Sequence, residues 1–174
     1  MENRNKPVDW KESGFFLKLN RQLDEVKPIR RCVTCIITND DRSSILVLEH
    51  KKCKGKFSLP AGTVEADEVE NTRLTAIREM EEELCIYINP EDLTIIEKNM
   101  PSYYDRIDGH RIYLEDVYYV EDFAGYITNN EPLKHPNLIW IPIDIAFNNP
   151  ELFTYQTWRI ICKLKNIVGD EWEY

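Results

Sequence analysis

Short β-branched runs separated by polar turns dominate the chain, and three longer stretches change to a helical period. "RRCVTCIIT" (30–38) and "SILVLEH" (44–50), split by the turn residues "NDDRS", predict two strands of a hairpin. A basic loop, "HKKCKGK" (50–56), leads to the short "FSLP". "DLTIIEK" (92–98), "HRIYLEDVYYVED" (110–122) and "NLIWIPI" (137–143) predict further strands, with the turn-rich "IDGH" read as a loop before the second of them. Over about 70–85 the apolar positions Leu74, Ile77, Leu84 and Ile86, with Ala76, Met80 and Cys85, keep a helical period, and "INPED" ends the segment. "PELFTYQTWRIICKLK" (150–165) opens on a Pro suited to a first helical turn and carries Phe153, Trp158, Ile161 and Leu164 as a buried face. "DWKESGFFLKLNRQLDEV" (9–26) predicts an amphipathic helix ahead of the strands, weakened by Gly14. Strands, a helix, more strands and a last helix make an α+β or mixed α/β sandwich rather than a regular βαβ alternation.

Composition narrows the class. At 174 residues the chain has the length of one domain with a real core. No run approaches the roughly 20 apolar residues that span a bilayer, and "MENRNKPVDW" has no apolar h-region, so a cytoplasmic protein is expected. Of five cysteines, Cys32 and Cys35 form a C-x-x-C, but on a strand residues three apart face opposite sides, which predicts reduced structural thiols rather than a redox or zinc pair. A net charge of −9 argues against a broad cationic surface for nucleic acid. It still allows a small anionic substrate if a divalent cation neutralises the charge locally.

The candidate chemistry lies in "REMEEELCI". Glu79, Glu82 and Glu83 stand at i, i+3 and i+4, so a helix puts them on one face, where like charges repel by a few tenths of a kcal/mol per pair. Three converging carboxylates make a hard oxygen site suited to Mg²⁺ or Mn²⁺, and the cation would offset the repulsion; a solvated acidic face is the alternative. Glu81 points elsewhere. Gly62, at the end of an apolar run, allows close approach and unusual dihedrals, and the backbone carbonyl of Ala61 could lie beside the helix as a further ligand. Glu70 lies about two turns before Arg78 on the same side, placed to pair with it.

The order of Gly62, Glu70, Arg78, Glu79, Glu82 and Glu83 resembles the Nudix box, G-x5-E-x7-R-E-U-x-E-E-x-G-U with U a bulky aliphatic residue. Counting back seven from Arg78 selects Glu70, and counting on five from Gly62 selects Glu68, so the loop "TVEADEV" is two residues longer than the family spacing. The helical register favours Glu70, and a stretched surface loop is well tolerated. Cys85 replaces the family's Gly at the helix exit, which bears on backbone geometry rather than on ligands, and Ala61 stands where Gly is commoner. "NNEPLKHPNLIWIPID" (129–144) is similar to the segment after the box strands in MutT-like members.

The resemblance implies a Nudix-type α/β/α sandwich with a mixed sheet over 29–174, and residues 1–28 are left as an N-terminal extension that includes the helix expected at 9–26. It implies Mg²⁺- or Mn²⁺-dependent hydrolysis of a nucleoside diphosphate linked to another moiety, a (d)NTP or related nucleotide being favoured by the MutT-like segment. ADP-ribose, dinucleoside polyphosphates and capped RNA stay open as substrates, and a non-catalytic nucleotide sensor is the alternative function; nothing argues for an isomerase. By analogy Ala61, Glu79, Glu82 and Glu83 hold metal, with Arg78 orienting Glu79 and Gly62 and Glu70 structural. The general base is one of the box carboxylates or an outlying group among Glu115, Glu131 and His135. Phe57, Lys56, Tyr104, Glu131 and His135 are candidate substrate contacts, each with a structural or solvated alternative, and Trp140 and Trp158 read as core. Dimers are common in the family, so a homodimer is compatible with the resemblance.

Overall fold

The computed structural model describes residues 30–168, so the helix expected at 9–26 lies outside the described residues. The β-branched runs form β1 (Arg30–Ile36) and β2 (Ser44–His50), and the short strands β3 (Lys56–Ser58) and β4 (Ala61–Thr63) follow. Helix α1 (Thr72–Leu84) precedes a long hairpin of β5 (Leu93–Arg106) and β6 (Gly109–Val120). Strand β7 (Leu138–Pro142) and helices α2 (Ile143–Asn148) and α3 (Tyr155–Val168) complete the order. Among the described residues no helix is long and apolar enough to cross a membrane.

The strands form two sheets, one ordered β4-β1-β6-β5 and one ordered β3-β2-β7. The first is mixed, with β1 parallel to β6 and antiparallel to β4, and the second is antiparallel throughout. The expected mixed α+β architecture is therefore found. The hairpin expected of 30–38 and 44–50 is not: the segments meet at the Thr38–Ile45 bridge and then part into different sheets. The reason is in their composition. Both strands are apolar on both faces, which suits burial from two sides and not one solvated face.

Alternate residues accordingly enter two cores. Ile36 of β1 and Ile45 and Val47 of β2 pack with Phe153, Ile160, Ile161 and Leu164 beneath α3. Val33, Cys35 and Ile37 of β1 and Leu46 and Leu48 of β2 pack with Ala76, Met80 and Leu84 of α1. The sheets thus lie between α1 and α3. Cys35 enters the α1 core whereas Cys32 reaches a cavity, the divergence expected of residues three apart, and all five cysteines are free.

Several element limits differ from expectation. Helix α1 starts at Thr72, and Leu74 is 46% exposed instead of joining the core. Strand β5 continues to Arg106, eight residues beyond the expected end at 98. Pro150 opens a 3₁₀ turn (Pro150–Leu152), and α3 begins at Tyr155 with the expected apolar face inward. Trp140, read as core, is 42% exposed, on the face of β7 opposite the buried Ile141.

Candidate active site

Helix α1 sets the site. Its core stripe is Ala76, Met80 and Leu84, and Glu79 and Glu83 flank that stripe one turn apart, so both carboxylates are carried inward: Glu79 is 8% and Glu83 1% exposed. Glu82 lies about 100° round the helix from Glu83, and its side chain is 56% exposed. The three carboxylates therefore divide into two buried and one at the rim, not the single convergent set expected. The helix ends on Cys85 in the left-handed conformation, φ 57°, with its amide bonded to the Glu81 carbonyl. This is the place where Gly is favoured, so the cysteine carries a strain of about 1 kcal/mol.

Gly62 faces Glu79. A Cβ on it would stand 1.7 Å from Glu79 Cδ, so the glycine is required by space, and its φ is not positive. Close approach is thus its role, and the unusual dihedral expected for it is absent. Beside it the Ala61 amide donates to Glu83 Oε2 at 3.2 Å. Strand β4 and helix α1 meet here backbone to side chain.

Arg78 bonds Glu68, not Glu70. Its Nε donates to Glu68 Oε1 at 2.9 Å and its Nη2 to Oε2 at 3.0 Å, a two-pronged pair completed by Thr75 Oγ1 donating to Oε2 at 2.8 Å. Glu70 is exposed. The assignment to Glu70 assumed a helix running back to residue 70. Instead residues 66–70 form turns, with the Glu68 amide bonded to the Glu65 carbonyl and the Asn71 amide to the Glu68 carbonyl. The two extra residues therefore follow Glu68. The remaining Arg78 contacts are Nη1 to Glu79 Oε1 at 2.8 Å, Nη1 to Glu82 Oε2 at 3.2 Å and Nη2 to the Thr63 carbonyl at 3.1 Å. Arg78 thereby fixes the Glu79 head relative to the loop.

These contacts set the acidities. Hydrogen bonds from Arg78 hold Glu68 down at about 2 from the ordinary 4.5. Burial pushes Glu79 up to about 7 against the opposing pull of Arg78, with the charge of Glu83 adding to the rise. Burial acts to raise Glu83 as well, but His135 and Lys134 outweigh it and leave that carboxyl below its ordinary value.

Because Glu68 is lower in the folded chain than in the unfolded one, its contribution to stability is complete above pH 4.5 and fades as pH falls from there towards 2. Glu68→Gln is expected to lower stability by about 1–2 kcal/mol at neutral pH, and Glu70→Gln to leave it unchanged. Thermal melts of both variants from pH 7 downwards should show the Glu68→Gln deficit shrinking below pH 4.5. A larger loss from Glu70→Gln would reverse the assignment.

Sequence reasoning also missed how β7's approach segment closes over Glu83. Lys134 Nζ lies 3.0 Å from Glu83 Oε1 and 2.7 Å from Glu131 Oε2. His135, buried, sets Nε2 3.1 Å from the same Glu83 oxygen, while its Nδ1 lies 3.2 Å from the Glu49 carbonyl. Ligand atoms of Glu83, Glu131 and His135 lie within 4.8 Å of one another. These residues are about fifty positions from Glu83 in sequence; only the similarity of "EPLKH" to a substrate-side segment pointed at them.

Glu79 and Glu83 border a cavity of about 400 Å³ lined also by Ala61, Gly62, Arg78, Tyr104, Arg106 and His50. Tyr104 is on its wall, with its hydroxyl donating to the buried Glu115 Oε1 at 3.0 Å, and its ring edge-on to Tyr113. Glu115 also accepts from Thr34 Oγ1, and burial raises its carboxyl. The His50 ring packs edge-on against His135, and burial with the neighbouring cations lowers it to about 4. Two expected substrate contacts are elsewhere. Phe57 packs on the α3 core against Phe153, and Lys56 is an exposed β3 residue off the cavity wall.

The donor set fits a divalent cation. Hard carboxylate oxygens dominate it, and two of them are buried close enough for the charge of Glu83 to oppose ionisation of Glu79.

Comparisons with known proteins agree with this fold. The model of the NUDIX domain matches residues 28–164. A MutT NUDIX hydrolase from Burkholderia pseudomallei is similar over 79% of this chain and 98% of its own, at 26% identity and a TM-score of 0.62. A MutT protein from Methanosarcina mazei Go1 is similar over 83% and 98%, at 16% identity and a TM-score of 0.64. An Ap4A hydrolase from C. elegans is similar over 81% and 98%, at 17% identity and a TM-score of 0.56. A search of curated protein sequences finds no match.

Proposed function

Because the chain belongs to the NUDIX family and is a hydrolase, we propose that it cleaves a phosphoanhydride bond of a nucleoside triphosphate or related nucleotide. The observation that carries this reading is the cavity floor: Glu79 and Glu83 are both buried, both reach the cavity wall, and Gly62 is bare where Glu79 passes it. The MutT proteins and the Ap4A hydrolase among the similar structures support nucleotide polyphosphates as the substrate class.

Glu79, Glu83 and Glu131, with Glu82 from the rim and the Ala61 carbonyl, would hold Mg²⁺ or Mn²⁺. When bound, the ion supplies charge stabilisation to the phosphoryl oxygens and acidifies water. The chain's own groups do the rest. Arg78 orients Glu79 through its 2.8 Å bond while Glu68 anchors the guanidinium. With Oε1 of Glu79 bonded to Arg78, its second oxygen is left for the cation. Tyr104 and Arg106 on the wall are placed to meet the nucleotide.

The test is a panel of (d)NTPs, ADP-ribose, dinucleoside polyphosphates and capped RNA, assayed for released phosphate products with Mg²⁺ and with chelator. Turnover of a nucleoside triphosphate that chelator abolishes is the expected result. No turnover on any of the panel, or turnover indifferent to chelator, would overturn the reading.

A further inference from the structure

The cavity floor already contains a cation of its own. Lys134 Nζ lies between Glu83 Oε1 and Glu131 Oε2, at 3.0 and 2.7 Å, and so stands among donor atoms grouped within 4.8 Å of one another. The burial of the three groups is unequal. Glu83 is 1% exposed and fixed from behind by the Ala61 amide and His135, whereas the Lys134 side chain is 40% exposed and borders the cavity. The lysine is thus the more exposed partner of a buried, fixed carboxylate. Its backbone is held by a tight turn, with the Lys134 and His135 amides both bonded to the Glu131 carbonyl at 2.9 and 2.8 Å, so any movement must come from the four-carbon stem.

We propose that Lys134 is an exchangeable counter-cation: its ammonium and a divalent ion compete for Glu83 and Glu131, and this competition sets the metal affinity of the site. The proposal rests on the reading of Glu83 as a metal ligand. An ammonium and a divalent ion cannot share those oxygens without strong repulsion at such separations. Metal entry therefore displaces the ammonium, and the free energy of the Lys134 contacts is subtracted from that of metal binding. The displaced head has somewhere to go, since it already borders the cavity, where an anionic substrate would receive it. In this arrangement substrate and metal favour each other: a phosphate that attracts the released ammonium makes its departure from Glu83 easier.

The experiment is a Mn²⁺ titration, with free Mn²⁺ followed by electron paramagnetic resonance, on the unaltered chain, Lys134→Met, Lys134→Arg and Glu83→Gln. Lys134→Met keeps the stem and removes the charge, and is expected to bind Mn²⁺ roughly five- to twenty-fold more tightly. Lys134→Arg keeps the charge and should bind no more tightly than the unaltered chain. Without metal Lys134→Met should melt lower, and Mn²⁺ should raise its melting temperature by more than it raises that of the unaltered chain. Lys134→Gln replaces Lys134→Met if the apolar tip prevents folding. Equal or weaker affinity in the charge-removing variant, with Glu83→Gln still impaired, would overturn this proposal and leave the metal site standing. Unimpaired binding in Glu83→Gln would remove the metal-site reading and this proposal with it.

Discussion

Glu83→Gln is expected to lower turnover by roughly 10²–10³-fold while the chain still folds. The carboxylate is the most buried acid of the box helix and receives the Ala61 amide on one oxygen and Lys134 and His135 on the other. An amide can satisfy only one of those sides, because its NH₂ then faces a donor. The cost of the unmatched donor is about 1–3 kcal/mol, visible as a lowered melting temperature. Glu82→Gln separates the two consequences. Its carboxyl sits at the rim, so stability should stay within about 0.5 kcal/mol of the unaltered chain, while loss of a metal ligand lowers turnover. Steady-state rates on a confirmed substrate and thermal melts of both variants check the pair. Turnover by Glu83→Gln within a few-fold of the unaltered chain would remove Glu83 from the site.

The helical spacing of Glu79 and Glu83 was legible because periodicity is a local property: one turn of helix brings two residues four apart to one face wherever the helix is placed. What periodicity could not supply was the direction of the sheet. That direction buries 79 and 83 and leaves 82 outside, and it was decided by Met80 and Leu84 docking on β1 and β2. The Arg78 partner was misread for a related reason. Both Glu68 and Glu70 satisfied a one-dimensional count, and the choice between them depended on where the helix began. A turn at 66–70 lets Glu68 fold back on Thr75 and Arg78, a path no helical register describes. Strands β1 and β2 were recognised as strands but not as members of different sheets, because two-sided burial depends on layers contributed from distant sequence. Lys134 and His135 belong to the same category: their contacts with Glu83 span 51 and 52 positions.

Gly62→Ala is the sharpest test of how β4 and α1 are fitted together. The added methyl would lie 1.7 Å from Glu79 Cδ and 2.0 Å from its Oε1, far inside any contact distance. Since the backbone at Gly62 is not left-handed, the whole cost comes from that collision. A flexible carboxylate could swing away in the open, but Glu79 is buried and its Oε1 is bonded to Arg78, so swinging breaks the pair and strands a charge. The expected penalty is about 1–3 kcal/mol, with turnover reduced about 10²-fold because the displaced carboxylate no longer faces the cavity. Combining the substitution with Glu79→Ala removes the obstacle. In thermal melts the double variant should therefore be more stable than the two single losses predict, a coupling of at least about 0.5 kcal/mol, although its activity stays low. If the losses simply add, or if Gly62→Ala melts and turns over like the unaltered chain, the glycine is not what admits Glu79 to the floor of the site.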